Sequence, residues 1–371
     1  LRILYFTRDY TPHDHRFLSA LAKTGHEIFS LRLEARGLAR EARPLPAGVQ
    51  QVGWLGGQKP VRWWDYPALS EDFKRVVETI QPDLVHAGPI QSAAFLAAWS
   101  GFQPLVSMSW GSDLLVEADS SFRMKRLTRY TLRRTRLLLA DCQAVVNKAA
   151  GFGFPPERTV VFPWGVDLDQ FTPGKGDLRE ELGWQDQFVL LSVRSWEPLY
   201  GVDVLARAFT QAAQRLPHLR LMLLSGGSQE ALIRRIFREG GVESQVYFGG
   251  HIPNDRLRDF YRSTDLYLSA SHSDGSSVSL MEALACGCPA MVSDIPGNRE
   301  WITPGEQGWL FPDGDADALA AQIGQAVESR DSLPEMKVAA RRLAERRADW
   351  NKNFQILLSA YQTAVEAEIN D

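Results

Sequence analysis

Cysteine is scarce, with only Cys142, Cys286 and Cys288 in 371 residues. The number is odd and two of the three are two positions apart, which excludes a disulfide framework. A reducing, cytoplasmic setting is expected. No apolar run approaches the ~18 to 20 residues a membrane helix needs. The opening residues 1–10 read as a strand rather than a charged leader before an apolar stretch, so no signal peptide is expected. Neither sign of charge dominates: 41 Lys and Arg face 45 Asp and Glu, for a net charge of -4. That balance excludes an electrostatic nucleic-acid binder. No Gly-x-Gly-x-x-Gly follows a strand-like run, which argues against a nicotinamide dehydrogenase, and no Gly-Lys-Ser/Thr is present, which excludes a P-loop kinase. Metal-ligand spacing is absent, so no metal is expected. Lysine is missing altogether between Lys175 and Lys337.

What is present is a rhythm of short apolar runs and amphipathic stretches. Residues 1–7, 26–33, 83–86, 104–109 and 137–140 read as strands, with helices over 17–23 and 92–99. The stretch 162–176, dense in Pro and Gly, reads as a boundary. The rhythm then restarts, with strands at 188–193, 219–224, 246–248, 266–269 and 290–293 and helices between them. Strands alternating with helices of this length predict α/β architecture with parallel sheets covered on both faces. The expected domains are 1–170 and 171–349, followed by a helix over 350–371 that packs back across them. In doubly wound folds ligands sit beyond the carboxyl ends of the strands, so the loops there carry the candidate chemistry.

The most informative string is Ser271-His-Ser-Asp274-Gly275-Ser276-Ser277-Val278-Ser-Leu-Met-Glu282, running on through Cys286-Gly-Cys-Pro289. A strand ends near Ser269 and a helix begins near Ser277, with Ser276 or Ser277 as N-cap. Backbone N–H groups of Ser277 and Val278 would leave the helix start as an anion site. Glu282, one turn on, suits a ribose diol. The bland alternative is a capped surface helix with two unrelated acids.

The longer pattern resembles the retaining family-4 glycosyltransferases. It comprises Asp274-x7-Glu282, Ala-Leu-Ala-x-Gly-x-Pro289, Asp294-Ile-Pro-Gly297-Asn-Arg-Glu300 and Gly308-Trp-Leu-Phe-Pro312. Gly165-Val-Asp167, Phe171-x-Pro173, Val193-Arg194, Gly201-Val-Asp-Val-Leu, Leu224-Ser-Gly-Gly227 and Phe248-Gly-Gly250 extend it. The likeness is good over 160–312 and weaker in the N-terminal half. It implies the GT-B fold: two facing Rossmann-like domains with a cleft between them and a C-terminal helix after the second. The implied activity is retaining transfer of a sugar from a nucleoside-diphosphate sugar, UDP first, to a carbohydrate, lipid-linked or small-molecule acceptor. It implies no cofactor and no bound metal, and a front-face path with the leaving phosphate as base. By the same resemblance Arg194, Ser277 and Val278 hold the diphosphate and Glu282 the ribose. Main-chain groups around Phe248 to His251 hold the base, and Gly226 and Gly227 join the donor-binding set. Asp274, with Gly275 and Ser276 beside it, touches the sugar, and His86 joins Asp274 and Arg194 as a catalytic residue.

The chain departs from the family pattern at three places. The first acid is Asp274 where the family has Glu. Tyr200 stands where the family has lysine, leaving Arg194 alone or with Arg299 to meet the phosphates. The first loop of the N-terminal half has no glycine. That loop, Tyr10-Thr-Pro-His13-Asp14-His15-Arg16, is expected to face the acceptor, with Asp113 as a second acceptor-side residue; solvated turns and a helix cap are the bland readings. Arg123–Arg136 carries seven positive charges and no acid. It reads as a solvated face or as a contact with an anionic membrane. Two rival functions share the fold: a nucleotide-sugar 2-epimerase and a non-catalytic nucleotide-sugar binder.

Overall fold

The structure, a computed structural model, describes residues 1–35 and 41–369, the side chains of 367–369 excepted. It divides into two compact units, Leu1–Phe162 with Phe354–Asp371, and Pro163–Asn353.

In the first unit seven strands form one sheet: β1 (Arg2–Thr7), β2 (Glu27–Arg32), β3 (Val49–Gln51), β4 (Leu84–Gly88), β5 (Leu105–Met108), β6 (Leu137–Ala140) and β7 (Thr159–Val161). Their order is β3-β2-β1-β4-β5-β6-β7, and every pairing is parallel. Helices cover both faces, so the central strands are buried throughout and read as unbroken apolar runs. One core gathers Leu4, Phe6, Phe29, Phe73, Val85 and Leu96. A second gathers Ile90, Leu114, Leu132, Leu138 and Val145. The helix Pro12–Leu21 begins five residues earlier than expected, and Tyr66–Ile80 is a helix the sequence reading passed over.

The second unit has six parallel strands: β8 (Phe188–Ser192), β9 (Leu219–Leu224), β10 (Val246–Gly250), β11 (Leu266–Ser269), β12 (Ala290–Ser293) and β13 (Gly308–Phe311). Their order is β10-β9-β8-β11-β12-β13. Alternate residues enter opposite cores, as the two-residue strand period requires. Leu190, Leu221, Leu223 and Leu268 pack on one face, and Val189, Leu191, Met222, Leu224 and Tyr267 on the other. Among the described residues no helix is long and apolar enough to cross a membrane.

Candidate active site

Strand order fixes where a ligand can enter the second unit. From β8 the chain winds out to β9 and β10, then crosses back to β11 and winds the other way to β13. The loops after β8 and β11 therefore diverge and leave a crevice at the carboxyl ends. Arg194 lies just past β8, and the loop Ser271–Ser277 follows β11.

The two meet. Arg194 Nη2 donates to Asp274 Oδ2 at 2.7 Å, and Nη1 donates to Ser277 Oγ at 2.8 Å and Ser279 Oγ at 3.1 Å. The guanidinium lies 4.3 Å over the Tyr200 ring. Its Nε is buried and has no hydrogen-bond partner. Burial penalises the Arg194 charge, yet Asp274 and the surrounding tyrosines more than offset this and its pKa is raised. Burial also raises the Asp274 carboxyl, against the opposing pull of Arg194. Tyr200 is brought there by Gly201, whose φ of 58° places it against β11. A Cβ at Gly201 would stand 2.0 Å from the Ala270 carbonyl oxygen. Arg299, the candidate helper, forms a two-point ion pair with Asp294 at 2.5 and 2.9 Å.

The helix Val278–Ala285 starts at N-cap Ser277, whose hydroxyl serves Arg194 instead of capping the first turn. Its first-turn N–H groups have no partner within the helix. Glu282 is buried, and its Oε2 accepts from the Tyr261 hydroxyl at 2.9 Å. Ser276 Oγ accepts from Trp301 Nε1 at 3.0 Å. Gly297 lets the following helix close on this loop, since a Cβ there would stand 2.4 Å from the Asp274 carbonyl oxygen and 2.5 Å from that of Gly275.

The glycines after β9 interlock with the β8 loop. The Trp196 amide donates to the Gly226 carbonyl at 2.9 Å, and a Cβ on Gly227 would come within 2.7 Å of Trp196. His251 Nε2 lies 3.9 Å from where a Cβ on Gly226 would stand, which joins the β10 loop to the same rim. The Phe248 ring turns inward, onto Trp196 and beneath Arg234, so only its main chain can serve a base. Sequence reasoning missed Ser279, Tyr261 and Ser225. Ser225 holds a left-handed φ of 71° ahead of Gly226. Only Ser279 carried a local signal, two residues after Ser277 on a helix start.

In the first unit several expectations are corrected. Residues 12–16 are not a loop but the first turns of Pro12–Leu21, capped by Thr11 with Asp14 as its capping-box partner. Asp14 is buried and accepts from Tyr5 Oη at 3.0 Å and Thr11 Oγ1 at 2.5 Å. His15 Nδ1 is 2.6 Å from Tyr10 Oη, His13 is exposed beside the Trp110 ring, and Arg16 is half-buried. His86 is 1% exposed. Its Nδ1 is 2.5 Å from Tyr361 Oη and its Nε2 is 3.0 Å from Met108 Sδ, so the ring ties β4 to the C-terminal helix. Asp113 is equally buried and is saturated by structural donors. Its oxygens accept from Ile90 N, Ser109 Oγ, Trp110 N and Leu114 N at 2.7 to 3.0 Å. The polar atoms of both His86 and Asp113 are thus engaged by partners within the first unit.

Residues 175–343 match the family model for glycosyl transferases group 1, and 13–170 match that for glycosyltransferase family 4. A D-inositol 3-phosphate glycosyltransferase of Geodermatophilus obscurus is 31% identical over 327 residues, covering 85% of this chain and 64% of the relative. The one from Thermobispora bispora is 30% identical, covering 57% of this chain and 52% of the relative. The chain thus spans about half to two thirds of the length of these curated relatives. A GDP-mannose-dependent alpha-(1-6)-phosphatidylinositol monomannoside mannosyltransferase of Mycolicibacterium smegmatis is 25% identical, covering 76% of this chain and 77% of the relative. Among solved structures, Anabaena HepE in complex with UDP superposes with a TM-score of 0.81 at 20% identity, covering 98% of this chain and 100% of that one. Sucrose-phosphate synthase from Thermosynechococcus elongatus gives 0.81 at 18% identity, covering 99% of this chain and 100% of that one. The fold is GT-B, with a Rossmann-like sheet in each unit. With the two family models matching most of its length between them, the chain belongs to the group 1 glycosyltransferases.

Proposed function

We propose that the chain is a retaining, metal-independent glycosyltransferase that moves a sugar from a nucleoside-diphosphate sugar to an acceptor hydroxyl, with UDP as the first nucleotide to test. The observation that carries this is Arg194: a buried guanidinium at the switch point, bonded to the N-cap of the Val278–Ala285 helix, with an unpartnered Nε. In this reading the leaving diphosphate accepts from Arg194 and from the Ser277 and Val278 amides, and the helix terminus adds its partial positive charge. These donors act mostly by stabilising charge that grows as the nucleotide departs. Glu282 accepts from the ribose hydroxyls, main-chain groups from Phe248 to His251 hold the base, and Asp274 touches the transferred sugar. UDP in the HepE complex and the GDP-mannose-dependent relative support a nucleotide-sugar donor while leaving the base to experiment.

The first unit takes the acceptor side, for a carbohydrate, lipid-linked or small-molecule acceptor. A cytoplasmic enzyme touching the inner membrane face is part of the proposal. The helix Phe122–Arg134 exposes Arg123, Arg126, Arg129 and Arg133, and Phe122 at its start is 73% exposed. Cations beside an apolar tip suit an anionic bilayer surface. A second reading, a non-catalytic binder, is favoured by Tyr200 in the lysine position and by Arg194 being committed to Asp274. Calorimetric titration with UDP, GDP and ADP, each with and without chelator, followed by transfer assays, separates the two. Chelator-insensitive binding of one nucleotide with sugar transfer is expected. Binding without turnover across acceptors would favour the binder, and binding of none would overturn both.

A further inference from the structure

The helix Leu333–Arg347 carries Lys337, Val338, Arg341 and Arg342 at spacings that put them side by side. Arg262 ends the helix Asn254–Arg262. With Pro173, Gly174, Tyr261, and the Cys286–Gly287–Cys288 turn, these residues line a cavity of about 300 Å³ inside the second unit. Four cations and no carboxylate line it. Arg341 is already engaged: it donates to the Phe171 and Ala285 carbonyls at 2.8 Å and pairs with Glu345 at 2.7 Å. Arg262 spends only its Nε, on the Thr172 carbonyl at 2.7 Å. Among the described residues no carboxylate pairs with Arg262, Lys337 or Arg342.

Lys337 stands one helical turn from Arg341 and, unlike it, is paired with no carboxylate among the described residues. Two glycines keep the space open. A Cβ on Gly174 would stand 3.0 Å from Arg262 Nε, and one on Gly287, at φ 70°, would stand 3.3 Å from the Lys337 carbonyl oxygen and 3.4 Å from Pro173 Cγ. The apolar wall of Pro173, Val338 and the Tyr261 ring adjoins the cations. The cavity lies at the C-terminal end of Val278–Ala285, whose other end carries Ser277. Eight residues separate the two ends by about 12 Å, enough for two anions to be held at once.

We propose that this cavity is a second anion site, which binds the phosphate of a small phosphate ester through Arg262, Lys337 and Arg342 and rests the remainder of the ligand on the apolar wall. The test is calorimetry on the full chain with glycerol 3-phosphate and with inorganic phosphate, in parallel with flotation on vesicles of phosphatidic acid in phosphatidylcholine. Glycerol 3-phosphate is expected to bind in the presence of excess UDP and equally well to Arg194→Ala. The double variant Lys337→Ser/Arg342→Ser, whose two side chains are both exposed, is expected to weaken it on the order of tenfold or more. Phosphatidic acid vesicles bound in place of the soluble ester, with the same dependence on Lys337 and Arg342, would identify a lipid headgroup as the source of the phosphate and uphold the site. Absence of phosphate binding in every arm, or binding lost in Arg194→Ala and unmoved in the double variant, would overturn it. Failure of the donor reading would show separately, as no heat from UDP.

Discussion

Tyr200 supplies the Arg194 guanidinium with an aromatic face where the family pattern has a second cation. Face and cation do different work: the ring confines Arg194 and adds about 0.5 to 2 kcal/mol of attraction, without contributing a donor to a diphosphate. A lysine would lose that attraction and add a charge-assisted hydrogen bond of about 1.5 to 3 kcal/mol. Tyr200→Lys should therefore bind UDP several-fold more tightly in calorimetry, and weaker binding would show that confinement of Arg194 matters more than charge. Glu282→Ala should weaken nucleotide binding on the order of tenfold or more, whereas Asp274→Ala should mainly lower turnover. Unchanged affinity in Glu282→Ala would sink the ribose assignment. Titration adds a test in the first unit. Burial pushes the Asp14 carboxyl up to about 6, against the hydrogen bonds from Thr11 and Tyr5 that favour its charge. Between its ordinary value of 3.8 and about 6, folded Asp14 keeps a proton that the unfolded chain has lost. Its contribution to stability is thus fully present below about pH 4 and is lost as pH rises through about 6. The melting-temperature advantage of wild type over Asp14→Asn should shrink from pH 4 to 7, and a growing advantage would contradict the assignment. The contrast with Glu282 is instructive. The Glu282 reading rests on a motif whose members lie within eight residues along the chain. The polar atoms of His86 are taken by side chains 22 and 275 residues away, which strand-end position does not announce, whereas Asp113 takes three of its four donors from residues within four positions of itself.

At the scale of elements, the helix Pro12–Leu21 shows where a local signal was present and outweighed. Thr11-Pro12-His13-Asp14 has a capping residue, proline at the first helical position and an acid at the third, which is a helix start. The concentration of polar and titratable groups made it look like a loop. Thr11→Ala should cost about 1 kcal/mol, read as a lower midpoint in urea unfolding with unchanged slope. Ten of the strands were easier, because burial turns them into apolar runs bounded by glycine, proline and polar residues, whereas the less buried edge strands β3, β7 and β13 were not read. The long amphipathic helix Tyr66–Ile80 was obscured by the tryptophans just before it, Trp63 and Trp64, which are exposed at 64% and 54% and do not belong to its core face.

For the molecule as a whole, the second unit was the readable half, since its motifs run in order along one stretch and match the family closely. The first unit carries fewer such motifs, and its likeness to the family pattern is weaker. The two units also give a thermodynamic test. A ligand that binds one folded unit stabilises that unit by about 2.7 kcal/mol at a hundred times its Kd. Scanning calorimetry with UDP should therefore shift the transition of Pro163–Asn353. A shift confined to the other unit would place the nucleotide elsewhere.

The helix that begins at Trp350 carries Tyr361 to His86, so the first unit is built from two stretches of chain separated by the whole of the second. On the ribosome this imposes a sequence of events. Residues 163–353 are synthesised, and can condense around their own sheet, while the sheet of residues 1–162 still waits for the segment from Phe354 onward. His86, buried beside Met108, receives its hydroxyl partner only after 275 further residues have been added. The half of the protein made first is the half finished last, and until then it is the half that a chaperone would find open.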